Sequence, residues 1–252
     1  MSSLEQKLKR VELIEEYVAS PACALFKRLK VHELGYRIFL TNFGEWQRSI
    51  DAKCPNDPMA RIQIMQDRSW VEPYLGEVTR TLHNFVASAL TLVDTTRVVY
   101  RELYEPKKLL PEYQGEIDTR FIKDGTAQFV KDLRQFCQHY RLPLLTAKVG
   151  LNLEPQGGHI QWGVPISREQ VEVWSGWSAT SKVFIAGFEK EIDLEAVAKE
   201  YRDKVVAFNA WLEGKQKEIH AAEWAYRDEM TKKIKELGGE AEPGAAADGG
   251  GM

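Results

Sequence analysis

Arg134 and His139 are the residues of this chain whose types and spacing best suit work on a phosphodiester. They lie in the segment Phe129-Val130-Lys131-Asp132-Leu133-Arg134-Gln135-Phe136-Cys137-Gln138-His139-Tyr140-Arg141-Leu142-Pro143. A guanidinium keeps its charge and presents a planar fork of donors, whereas an imidazole titrates near neutrality. Brought to one phosphate, the pair could hold it and move a proton. The spacing sets a condition. On an ideal helix a five-residue step turns two side chains about 140° apart and about 7.5 Å along the axis. They meet on one atom if the helix unwinds before Pro143, or if a second subunit sets its own pair opposite. Otherwise Arg134 lies on a solvated face with Lys131 and Gln138, and His139 helps to end the helix.

Periodicity supplies the elements that must position them. A first helix runs from Ser3 to about Val18, with Ser3 and Gln6 as a capping box, and Ser20-Pro21 interrupts it. Leu25 to Leu29 reads as a short helix, while Tyr36, Ile38 and Leu40 alternate, which predicts a strand over 35–41. Cys54-Pro55-Asn56-Asp57-Pro58 has the chemistry of a loop. A long helix follows from about Ser69 to Tyr104, and a second from about Glu112 to Tyr140, stopped by Pro143. A short connection between two such helices favours antiparallel packing.

Beyond them, residues 144–153 turn strand-like, and Pro155-Gln156-Gly157-Gly158 reads as a hairpin turn into His159 to Pro165. Ser167 caps a short helix, and Trp174 and Trp177 are packing residues. A last helix starts near Asp193 and reaches Leu237, its apolar stripe suiting a bundle core or a helix of another subunit. Gly238 to Met252 has the composition of a disordered tail.

Composition narrows the classes. A net charge of -3 gives no global attraction for nucleic acid, so any RNA contact must rest on a local basic patch. Three scattered cysteines make no disulfide framework or zinc spacing, and no cofactor or metal is expected. No apolar run approaches the roughly 20 residues of a membrane span, and the start lacks a signal peptide's apolar core; a cytoplasmic protein without membrane partners is expected. The Gly157-Gly158 pair lacks the Lys-Ser/Thr that completes a phosphate loop.

The two long helices, with Arg-x-x-x-x-His near the end of the second, resemble the HEPN superfamily (higher eukaryote and prokaryote nucleotide-binding domains). The likeness is carried by Leu82-His83-Asn84-Phe85-Val86-Ala87-Ser88-Ala89-Leu90-Thr91-Leu92-Val93-Asp94-Thr95-Thr96-Arg97 together with Phe129 to Arg134, over roughly residues 70–142. It implies a mainly α, HEPN-like antiparallel bundle with a small β-hairpin insertion and a long C-terminal helix. The divisions expected are an N-terminal segment (1–67), the helical core (68–142), completing elements (143–237) and the tail (238–252).

The resemblance further implies a homodimer with two Arg-His motifs in one cleft. The implied activity is metal-independent endoribonuclease cleavage to a 2',3'-cyclic phosphate, in toxin-antitoxin, phage-defence or stress systems, with RNA and an antitoxin or regulatory protein as partners. Arg134 would hold the phosphate and His139 would assist the 2'-hydroxyl. Gln135 stands where the family usually has Asn, His or Asp. Lys131, His83, Asp94 and Arg97 are candidates to line or support the cleft, Asp94 and Arg97 alternatively forming an i,i+3 pair. The competing reading is a catalytically silent helical protein acting through partner, nucleotide or RNA contacts.

Overall fold

Backbone capping begins the architecture. Ser20 Oγ accepts the Cys23 amide at 3.2 Å and donates to the Tyr17 carbonyl at 2.6 Å, closing α1 (Ser3–Val18) and opening α2 (Pro21–Asp51). Pro21 takes the first helical position, where its missing N–H costs nothing. Asp67 then caps α3 (Arg68–Leu103), its Oδ1 accepting the Ser69 amide at 2.9 Å. This computed structural model describes residues 3–51, 63, 66–152 and 159–238. The loop expected at 54–58, the turn at 155–158 and most of the C-terminal tail lie outside them.

The expected strand over 35–41 is instead part of α2. Its buried residues Phe39, Phe43, Trp46 and Ile50 follow a step of three to four, so the helical period prevails over the short alternation of Tyr36, Ile38 and Leu40. Gly35 adds a packing reason. A Cβ there would lie 2.9 Å from Thr95 Oγ1 of α3, so only glycine lets the helices come this close. Gly35→Leu is therefore expected to lower stability by about 2 kcal/mol, read as a shifted urea midpoint. An unchanged midpoint would refute the close approach.

The second long helix is broken. It comprises α4 (Tyr113–Ile117), a π-helical turn (Asp118–Ile122) and α5 (Gly125–His139). Asp124 explains the restart: its backbone is extended, its Oδ1 accepts the Ala127 amide at 2.8 Å, and its Oδ2 takes Lys204 Nζ at 2.7 Å. After α5 come the antiparallel pair β1 (Lys148–Asn152) and β2 (His159–Gly163), then β3 (Ile166–Ser167), α6 (Arg168–Glu172), α7 (Ala179–Ala186) and β4 (Glu191–Ile192). Strands β3 and β4 pair through Ile166 and Ile192, both fully buried.

The long C-terminal helix is two helices, α8 (Leu194–Ile219) and α9 (Ala221–Glu236), parted where His220 leaves helical torsions at φ -108° and ψ 30°. No proline or adjacent glycine announces this break; the His220 ring packs 5.6 Å from Tyr104. Val205, Phe208 and Leu212 of α8 are buried within the chain, which settles their stripe as core.

The chain is thus mainly helical, and among the described residues no helix is long and apolar enough to cross a membrane. It divides into two compact units. One comprises Met1–Leu34, Val99–Leu109 and Ala210–Met252, and includes a small core of Tyr17, Cys23 and Met230 with Leu13 and Tyr226. The other comprises Gly35–Val98 and Leu110–Asn209 and holds the larger core, in which Phe85 packs on Phe39, Phe43 and Trp46.

Candidate functional site: the exposed face of α5

Helix α5 is seated by aromatic residues and presents polar ones. Phe129, Leu133 and Phe136 are buried, with Phe129 stacked on Trp177 at 5.3 Å and Phe136 against Trp174 and Trp177 at 5.7 Å each. Trp174 and Trp177 are packing residues, as their positions suggested. The outward residues are Gln128, Lys131, Arg134, Gln135, Gln138 and His139.

No carboxylate shares that face. The helix has one acid, Asp132, which is buried. Its Oδ2 accepts the Ser178 amide at 2.9 Å and the Ser181 hydroxyl at 2.7 Å, at the N-terminal end of α7. A carboxylate there meets backbone N–H groups and the positive end of the helix dipole. Turning Asp132 inward has two effects: it anchors α7 to α5, and it leaves the outer face of α5 with cations and amides. Sequence reasoning passed over Asp132, yet a signal was present. It falls three residues after Phe129 and four before Phe136, on the core stripe.

Arg134 is half-buried, and its Nε is enclosed by protein without a hydrogen-bond partner. It forms no ion pair among the described residues. Lys131, one turn earlier, is exposed and bonded only loosely to Gln128 Oε1 at 3.4 Å. Gln135 is half-buried and Gln138 exposed. His139, the last residue of α5, is exposed, and its side chain makes no hydrogen bond or ion pair among the described residues.

The end of the helix decides whether Arg134 and His139 converge. Regular α-helix persists through His139, and the amides of Tyr140 and Arg141 both donate to the Phe136 carbonyl at 3.0 Å. Arg141 lies over Tyr140 at 5.2 Å and donates to the Gln170 carbonyl at 2.8 Å. Gln170 in turn accepts the Leu144 amide and donates to its carbonyl, both at 3.1 Å. This latch fixes the chain after the helix rather than unwinding it. The two side chains therefore keep their separation of about 140° and about 7.5 Å within one chain.

The supporting candidates stand elsewhere. His83 is half-buried on α3, and Asp94 and Arg97 pair with each other at 3.6 Å on its exposed side. No hydrogen bond or ion pair joins any of the three to α5 among the described residues. Cys137 is buried, and burial pushes its thiol up to about 12, so it is held as the unreactive thiol. No cluster of three or more metal-ligating side chains occurs among the described residues. Comparison with protein-family models, with curated proteins and with solved structures finds no match to this chain.

Proposed function

We propose that this is an RNA-binding helical protein that holds phosphate groups on the exposed face of α5, within a HEPN-like bundle. The observation that carries the reading is the acid-free face itself. In a chain of net charge -3, the one carboxylate of α5 is turned inward, leaving Lys131, Arg134, three glutamines and His139 outward. Lysine and arginine supply attraction to phosphates, and amides hydrogen-bond to phosphate or ribose without repelling them. Arg134 has the clearest role, because it stands half-buried on that face and no carboxylate among the described residues pairs with its guanidinium.

Cleavage is the second reading, favoured by the exposure of His139 at the helix end. One copy leaves Arg134 and His139 too far apart in angle for a single phosphate, so cleavage requires a second copy to bring its histidine opposite. Arg134 would then stabilise charge on the phosphate, and His139 would take the 2'-hydroxyl proton as the 2'-oxygen bonds to phosphorus; the P–O5' bond breaks, the leaving 5'-oxygen takes a proton from water, and a 2',3'-cyclic phosphate remains.

The two readings separate in one experiment. Purified protein is incubated with mixed single-stranded RNA in the presence of chelator, and both retention on the protein and fragment ends are followed. Binding without cleavage supports the first reading. Cleavage lost in both Arg134→Ala and His139→Ala supports the second, and neither binding nor cleavage rejects both.

A further inference from the structure

Helix α1 buries one side and leaves a second apolar side bare. Leu13 and Tyr17 turn inward to Tyr226 and Met230 of α9. On the opposite side, Leu4, Leu8, Val11 and Val18 are 68%, 58%, 52% and 40% exposed. Single exposed apolar residues are ordinary, but four along one line of one helix are not. Steps of four, three and seven residues make that line, and Glu15 occupies the position that would complete a continuous three-four seam.

We propose that this line is the seam of a parallel, in-register pairing between α1 and the α1 of a second copy of this chain. The charges beside the seam choose both occupant and direction. Lys7 flanks it on one side, and Glu5 and Glu12 flank it on the other. In a parallel pair, Lys7 of each copy meets Glu12 of the other, and symmetry makes that contact twice. An antiparallel pair would instead set Glu5 against Glu12, two like charges. Glu15 meets its own counterpart in the seam, which keeps the association weak and reversible. This inference is independent of the reading of α5.

Sedimentation equilibrium of the full chain tests it. The wild type is expected to associate reversibly, and Leu8→Glu to weaken that association by about a hundredfold, since one leucine is lost from each copy. Leu8 is exposed, so the variant should keep the wild-type circular dichroism spectrum. Glu15→Leu is expected to tighten the pairing by at least about tenfold. Lys7→Glu should weaken it, and Lys7→Glu with Glu12→Lys should restore it. A wild type monomeric at millimolar concentration overturns the proposal. So does association indifferent to Leu8→Glu, which would place it on another surface, and failure of the double exchange to restore pairing would overturn the parallel register.

Discussion

Replacing Asp132 by alanine is expected to cost the folded state about 3 kcal/mol, because one buried donor and one partly buried donor lose their acceptor together. The Ser178 amide and the Ser181 hydroxyl both end on the same oxygen, and Ser181 is fully buried, so water cannot take the place of the carboxylate without rearrangement. Asp132→Asn keeps an acceptor oxygen and is expected to lose clearly less. Urea unfolding of the two variants beside the wild type measures both. Equal losses would mean that the hydrogen bonds are not what the carboxylate contributes. A loss under about 1 kcal/mol for alanine would mean that α7 is not seated through Asp132.

Acid is expected to act on α2 through His32. This histidine is 7% exposed, its side chain forms no hydrogen bond or ion pair among the described residues, and burial pulls its pKa from 6.5 to about 4. The unfolded chain takes up the proton first as pH falls. The stabilisation is therefore complete above about 6.5, and it drains away as pH falls toward about 4. Between pH 7.5 and 4.5 the loss from this group is about 2.5 kcal/mol. His32→Leu removes the titration and keeps the apolar contacts. The stability of the wild type relative to this variant should fall by that amount across the window, and a constant difference would show that His32 is hydrated or paired in solution.

Much of the helical content was legible because long apolar periods survive local noise. The stripe Leu82, Phe85, Val86, Ala89, Leu92 and Val93 marked α3, and all of these but the half-buried Val93 are buried. The strand over 35–41 misled because three alternating residues carry less information than a helical period held over about three turns from Phe39 to Ile50. The breaks at 118–124 and 220 were hidden for different reasons. Asp124 reads as an ordinary polar residue until its carboxylate is seen capping α5 and holding Lys204, which is eighty residues away in sequence. His220 is set by tertiary packing on Tyr104, which no local pattern records.

For the candidate site, the sequence put forward Arg134, Lys131 and His139 but not the arrangement around them. The inward turn of Asp132 depends on Ser178 and Ser181, more than forty residues on, and it is this turn that clears negative charge from the α5 face. The latch of Arg141 and Leu144 on Gln170 is likewise non-local, and it keeps α5 helical through His139. The sequence posed the alternatives of unwinding or a second copy. Long-range contacts close the first.

The central claim is that phosphate is held by the cations of α5, and the salt dependence of RNA affinity tests it most directly. Binding of a single-stranded RNA is measured over a series of salt concentrations for the wild type, Lys131→Ala and Arg134→Ala. Each phosphate contact contributes about 0.7 to the slope of log affinity against log salt on a single strand. Each variant should therefore bind more weakly than the wild type at low salt, across unrelated sequences, with its slope reduced by about that amount. Affinity and slope unchanged by both substitutions would place any RNA contact elsewhere on the chain and contradict the account.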